Sequence, residues 1–324
     1  MNNIGFSSCQ ATVAICTYNG RDRIADVLTA LGRQTSIDLN WEVLVVDNAS
    51  TDGTAEVANR FIIDSLNGCG RVVREDQPGL SFARACAAKE ARGEIICFLD
   101  DDNIPAPDFV SAVIEAFEKR SKAGVIGGKV LARWETEPTP LALAVAPFAL
   151  AICDLGDTAH RIDGLGGGIV GAGLCVRTEL LREIFDSSTL AATVTDRKGT
   201  SLISGGDLAI SIVARQAGWE TWYDPALVIE HVIPESRMRE EYLLRLYDGI
   251  GRGQAAVRRC YDWKARTPLA WLIGIKDLLR WARGQISRPA GASVEGPIDV
   301  AASLHALSQR QICGRALKSL SWPF

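Results

Sequence analysis

The first 130 residues alternate short apolar runs with amphipathic segments, and this alternation constrains the chain most. It is the pattern of βαβ units, in which helices cover the faces of a sheet. Thr12-Val13-Ala14-Ile15-Cys16 reads as a strand entering the polar turn Thr17-Tyr18-Asn19-Gly20. Ile24, Val27, Leu28 and Leu31 then recur at i, i+3, i+4 and i+7, the spacing of one helical face. A second unit runs from Val43-Leu44-Val45-Val46 through the polar segment Asp47 to Gly53 into a helix expected to end near Asp64. A turn at Asn67-Gly68 leads to a short strand at Val72-Val73. Gln77-Pro78-Gly79 opens a helix that ends at Gly93, and Glu94 to Leu99 forms a fourth strand. Pro107 stands at the start of a further helix with Phe109, Val110, Val113, Ile114 and Phe117 on one face.

The stretch from about 125 to 238 is less regular, with a Gly-rich segment at Gly164 to Gly173 and a polar loop around Asp196. A helix is expected to begin near Gly206, with Gly218 placed to cap its C-terminus. Two aromatic or β-branched runs follow, the second ending at Val228-Ile229-Glu230-His231. From Arg239 the pattern is mainly helical, with Tyr242, Leu243, Leu246 and Ile250 on one stripe and a second amphipathic stretch from Leu269 to Trp281.

With 324 residues, 47% hydrophobic and 23% charged, the chain can bury a large core, which excludes disorder as its main state. Its nine Cys include no CxxC pair, unlike a disulfide framework or a zinc ribbon, so reduced thiols in a cytoplasmic protein are expected. The N-terminal stretch lacks a basic region ahead of its apolar residues, so no signal peptide is expected. The longest apolar run, Leu141 to Cys153, falls short of the roughly 20 residues a spanning helix needs and contains Pro147. The net charge of -4 conceals an asymmetry. From Arg239 onward fourteen Lys/Arg face seven Asp/Glu, a formal +7, whereas the preceding 238 residues carry -11. The tail's Trp263, Trp271 and Trp281 among basic residues suit an interfacial helix on an anionic membrane surface, and equally a helical cap with its basic face in solvent. The acidic body argues against nucleic acid as a partner.

Asp100-Asp101-Asp102 follow the apolar strand Ile95 to Leu99 directly. Like charges held this close repel unless a cation or protonation offsets them. In a doubly wound sheet the ligand crevice lies outside the carboxyl ends of the strands, where Thr17 to Gly20, Asp47 and Asp100 to Asp102 would all fall. Carboxylates are hard ligands for Mg²⁺ or Mn²⁺, which also bind phosphate oxygens, and a diphosphate fits that need. His231 closes another strand; as a ligand it would tilt the choice towards Mn²⁺, and otherwise it is a structural histidine.

These residues carry a resemblance to the inverting family 2 glycosyltransferases of the GT-A fold. The matching pieces, in order, are Ala14 to Asn19, Gln34-Thr35, Val45 to Asp52, Gly79 to Arg84, Gly93 to Asp102, Gly171-Ala172-Gly173 to Arg177, Ser204-Gly205-Gly206-Asp207, Gly218-Trp219 and Glu230-His231. Each piece is weak alone, while their collinear order over about residues 11 to 238 is specific. The resemblance implies an α/β fold of GT-A type, a Rossmann-like mixed central sheet flanked by helices, with a C-terminal helical extension. Residues 1–238 would form the catalytic domain, about 11–130 its nucleotide-binding half and about 131–238 its acceptor half, with 239–324 as the basic extension.

The same resemblance implies that Thr17 and Tyr18 line the nucleotide pocket, that Asp47 accepts a hydrogen bond from the base, and that Arg84 sits near the nucleotide or diphosphate. Asp100 and Asp101 occupy positions that approach the ribose, Asp102 the one that binds a divalent cation, Mn²⁺ or Mg²⁺, and His231 one that approaches the metal or diphosphate. Asp207 matches the general base that deprotonates the acceptor hydroxyl. A helix N-terminus favours its ionised form. Many relatives carry Glu before this Asp, whereas here Gly206 stands there. The implied reaction transfers a hexosyl group from a nucleoside-diphosphate sugar, a UDP-sugar in the usual case, to a glycan or lipid-linked acceptor. Its place would be polysaccharide or cell-surface glycan synthesis in the cytoplasm, with peripheral contact at the inner membrane face left open. Two rivals stay open: a nucleotidyltransferase of similar fold, disfavoured because Thr17 to Gly20 is no Gly-rich basic loop, and a non-catalytic nucleotide- or carbohydrate-binding homologue. Gly166 to Gly171 formally satisfies GxGxxG but follows no clear strand, so a dinucleotide fold is not expected.

Overall fold

The computed structural model describes residues 8–35, 39–66, 68–163, 169–187, 202 and 204–261. The Gly164 to Gly168 part of the Gly-rich segment, the polar loop around Asp196 and the stretch from Leu269 to Trp281 lie outside the described residues.

The expected βαβ units are present as β1 (Ala11–Thr17), α1 (Ile24–Gly32), β2 (Trp41–Asp47), α2 (Thr54–Ser65), β3 (Gly70–Arg74), α3 (Leu80–Glu90) and β4 (Ile95–Leu99). These four strands pair in parallel, with β1 between β2 and β4 and with β3 outside β2. Strand alternation divides their side chains between two cores. Val13, Ile15, Val43, Val45, Cys97 and Leu99 pack with the buried stripes of α1 and α2 on one face. On the other face Ala14, Leu44, Val46, Ile96 and Phe98 meet Ala83 and Ala87 of α3. Both faces are covered, so the central strands β1, β2 and β4 are mostly apolar, as buried parallel strands are.

Beyond β4 come β5 (Asn103–Pro105), α4 (Phe109–Glu118), β6 (Ala123–Trp134), α5 (Pro140–Ala149), β7 (His160–Arg161), β8 (Leu174–Arg177) and α6 (Thr178–Asp186). They are followed by α7 (Gly206–Gln216), β9 (Glu220–Ile233), α8 (Glu235–Met238) and α9 (Glu240–Tyr261). Strand β8 inserts antiparallel between β4 and β6, β9 lies parallel to β6, and β5 and β7 pair antiparallel with β9. Among the described residues the sheet order is β3-β2-β1-β4-β8-β6-β9-β5, with β7 off this path against β9. The chain moves outward from β1 through β2 to β3 and then returns to β1's other side as β4. The β1/β4 boundary is therefore the topological switch point, where an open α/β sheet leaves a crevice at its carboxyl ends.

One expectation changes. The two runs expected after Gly218 are one strand, β9, bent by register shifts against β6 and carrying the Asp224-Pro225 step. The apolar run at Leu141 to Cys153 is mostly α5, capped at its N-terminus by the Thr139 hydroxyl, which accepts from the Ala142 N–H at 3.1 Å. Its Ala142, Val145 and Ala146 pack with Leu243, Leu246, Tyr247 and Ile250 of α9 in a third core. The stripe Tyr242, Leu243, Leu246 and Ile250 thus packs against the body.

Candidate active site

Register explains how separate motifs meet. Thr17 stands level with Asp47 across β1 and β2, and Ile15 with Leu99 across β1 and β4, so Asp100 to Asp102 begin beside Cys16 and Thr17. The three polar turns leave the sheet on one side. A cavity of about 280 Å³ opens there, walled also by the start of α3, by Gly171-Ala172, by Ser204 and Asp207 at the start of α7, and by Arg237 of α8. Thr17, Tyr18, Arg84, Asp100, Asp101, Asp102 and Asp207 all line it.

Asp47 and His231 do not line the cavity; each stands behind its wall. Asp47, 1% exposed, accepts from the Ser50 N–H at 3.2 Å and from Arg74 at 3.1 Å. Its neighbour Asn48 does reach the cavity, and its amide ties the next loop to the strand end. Nδ2 donates to the Glu75 and Gln77 carbonyls at 3.2 and 2.7 Å, while Oδ1 accepts from the Gly79 N–H at 2.8 Å. Asn48 thereby orients the start of α3, the helix that carries Arg84. The Arg84 guanidinium lies 5.5 Å from the centre of the Phe98 ring.

Two carboxylates of the acidic triplet pair with guanidinium groups. Asp101 accepts from Thr17 Oγ1 at 2.6 Å and from Arg23 Nε and Nη2 at 2.9 and 3.0 Å, a fork-on-fork pair. Hydrogen bonding to Asp101 holds the Arg23 pKa above its ordinary value. Asp102, 6% exposed, takes Arg237 Nη2 at 2.8 Å through Oδ2. Burial works against the Arg237 charge, but Asp102, Tyr242, Asp100 and Asp101 outweigh it, so its pKa is also raised. Guanidinium groups therefore supply part of the counter-charge that the sequence assigned to a metal. Neither Arg23 nor Arg237 was singled out from sequence: an isolated Arg carries no spacing signal, although Arg237 lies six residues beyond His231.

Asp102 and His231 still suit a divalent cation by donor type, a carboxylate oxygen and an imidazole nitrogen, with Nε2 and Oδ1 3.6 Å apart. The His231 Nδ1–H donates to the Leu150 carbonyl at 2.8 Å, the backbone contact that orients a ligating imidazole and leaves Nε2 as the acceptor. Among the described residues no group of three or more His, Cys, Asp or Glu converges on one point. A cation here would complete its shell with phosphate oxygens and water.

On the opposite wall Asp207 occupies the first turn of α7, with Oδ1 accepting from the Leu208 N–H at 2.8 Å. Gly171 stands between it and Arg84. A Cβ at Gly171 would lie 2.8 Å from Arg84 Nη2 and 3.5 Å from Asp207 Oδ2. Carboxylates more than a hundred residues apart thus face one space. Among the described residues no helix is long and apolar enough to cross a membrane.

The chain is similar to known proteins in sequence and in fold. The model of the family described as "Glycosyl transferase family 2" matches residues 12–185. An uncharacterized glycosyltransferase, YfnE, of Bacillus subtilis is 34% identical over 118 residues, which is 36% of this chain and 29% of that protein. A glucosyl-dolichyl phosphate glucuronosyltransferase of Haloferax volcanii is 21% identical over 243 residues, 72% of this chain and 73% of that one. The chain thus spans less than a third of the first relative's length. Among solved structures, the Pyrobaculum calidifontis mannosyltransferase in complex with GDP-Man and Mn²⁺ superposes with a TM-score of 0.54 at 16% identity, covering 98% of this chain and 77% of that one. Residues 1-349 of S. aureus TarS in complex with UDP-GlcNAc give 0.51 at 17% identity, covering 78% and 67%. The fold is of GT-A type. With the family model matched over more than half of the chain, the protein belongs to glycosyl transferase family 2.

Proposed function

We propose that this chain is a metal-dependent inverting glycosyltransferase that moves a hexosyl group from a nucleoside-diphosphate sugar, a UDP-sugar by preference, to a glycan or lipid-linked acceptor. The observation that carries this is the cavity in which the ends of β1, β2 and β4 meet the first turn of α7, so that Asp100 to Asp102 and Asp207 face one space. Two superposing structures were solved with nucleotide sugars, which supports a donor of that class. Residues 1–238 would be the catalytic domain, and α9 would begin the basic extension.

In this reading Thr17, Tyr18 and Asn48 take the nucleoside with Asp47 behind them, Asp100 and Asp101 approach the ribose, and Asp101 also fixes Thr17 and Arg23 at the rim. Arg84 meets the donor near its diphosphate. Asp102 and His231 would hold the divalent cation, Mn²⁺ or Mg²⁺. The chemistry such a cation would supply there is neutralisation of charge on the departing diphosphate. Asp207, kept ionised by the N-terminus of α7, takes the proton from the acceptor hydroxyl as that oxygen attacks the anomeric carbon. A single displacement inverts that carbon.

The test is Asp207→Asn, assayed by release of nucleoside diphosphate from a panel of nucleotide sugars. Loss of a general base should lower turnover by roughly 10²–10⁴-fold. Donor affinity should stay nearly unchanged. A mutant with full turnover would remove Asp207 from the base role, and a wild-type chain that binds donor but never releases diphosphate would be a binding module.

A further inference from the structure

Asp102 and His231 share a partner that competes for the same lone pairs a metal would use. Arg237 places Nη2 2.8 Å from Asp102 Oδ2 and Nη1 3.0 Å from His231 Nε2. The Leu150 carbonyl accepts the Nδ1 proton of the imidazole, so Nε2 presents its lone pair. A guanidinium has only donors, and here it occupies that lone pair together with a carboxylate oxygen. One imidazole nitrogen cannot accept from Arg237 and ligate a cation at once. Arg237 also lines the cavity, with 21% of its side chain exposed, so it has somewhere to go.

We propose that Arg237 is a built-in cation that holds Asp102 and His231 together in the metal-free protein and must be displaced before a divalent metal can bind. The proposal rests on the metal reading of the Asp102–His231 pair given above. It has two consequences. First, Asp102 is buried beside two further carboxylates, so in the absence of metal Arg237 prevents an uncompensated charge there, which is a stabilising role. Second, a displaced guanidinium remains at the cavity, where the oxygens of a bound diphosphate offer it a bidentate partner. Metal alone should therefore bind weakly, and metal and nucleoside diphosphate should each tighten the other, as linkage requires.

The experiment titrates Mn²⁺ into the full chain without nucleotide and follows free Mn²⁺ by its paramagnetic resonance signal, for wild type, Arg237→Ala, Arg237→Lys and Asp102→Asn. The expected result is Mn²⁺ bound about ten-fold more tightly by Arg237→Ala than by wild type, with a lowered melting temperature that Mn²⁺ restores. Lys at 237 keeps the charge but cannot bridge both partners, so it should bind Mn²⁺ several-fold more tightly than wild type, which keeps the test decisive if the Ala variant does not fold. If wild type binds Mn²⁺ through Asp102 and neither variant at 237 tightens it, displacement is wrong while the metal reading stands. If no form binds Mn²⁺ even with UDP present, both fall.

Discussion

Gly20 shows how closely the rim of the cavity is packed. A Cβ there would stand 2.2 Å from both Asp101 Oδ2 and Thr17 Oγ1, the two atoms whose hydrogen bond ties the first strand end to the acidic triplet. Gly20→Ala should therefore lower stability by about 1–3 kcal/mol, the range for overpacking, and weaken nucleotide binding; urea unfolding and nucleotide titration would check both. Cys16, also at the cavity, has a thiol pushed up to about 12, chiefly by burial, with Arg84 opposing and Asp100 adding to the shift. In the unfolded chain it ionises near 9.0, so between these values the unfolded state binds fewer protons and stability falls as pH rises. Denaturation stability should decline from about pH 9 towards 11 by more in wild type than in Cys16→Ala, with little difference between them below about pH 8. An equal decline in both would mean that this thiol ionises normally in the fold. At this scale the sequence revealed carboxylates better than cations. Three adjacent Asp after an apolar strand stand out because their repulsion is costly. Arg23 and Arg237, which offset two of them, look like any surface Arg until the fold brings them in.

Among the elements, α9 sets the position of the start of α7. Gly253 lies where α9 crosses Ser204 and Gly205, and a Cβ on it would fall 1.8 Å from the Ser204 carbonyl oxygen. Gly253→Ala should push the two apart, costing about 1–3 kcal/mol and lowering turnover more than donor affinity, because Asp207 follows three residues after Ser204. Unchanged unfolding and kinetics would show that the crossing gives way without strain. Helical elements were legible because their faces repeat: all four residues of the stripe Ile24, Val27, Leu28 and Leu31 are buried in α1. Strand β6 was not, because Gly124, Gly127 and Gly128 interrupt its apolar run. Those glycines are close approaches rather than breaks: a Cβ at Gly127 would meet Ile169 at 1.9 Å, and one at Gly128 the Leu227 carbonyl oxygen at 1.9 Å. Such contacts are set by strands paired far apart in sequence and leave no local pattern.

For the whole molecule the same contrast separates the parallel half of the sheet from the mixed half. Residues 11 to 99 build β1 to β4 from local strand–helix repeats, so the strands and the crevice at their carboxyl ends could be read from the chain, while their order in the sheet came from the structure. The mixed half depends on β8 entering between β4 and β6, a pairing no neighbouring residues announce. The charge asymmetry is also a property of the whole. If the +7 tail lies on lipid, the protein should sediment with anionic vesicles at low salt and be released at high salt, whereas recovery in the supernatant at low salt would make the basic face a solvated one. The central claim is that one cavity binds a nucleoside diphosphate together with a divalent cation. Thermal unfolding against UDP, GDP, CDP, ADP and TDP, each with Mn²⁺, Mg²⁺ or EDTA, addresses it most directly. Ligand at ~100 times its dissociation constant adds about 2.7 kcal/mol to the folded state. The account predicts a rise in melting temperature with one nucleotide, UDP first, that EDTA abolishes; no rise with any nucleotide, or one that EDTA leaves intact, would contradict it.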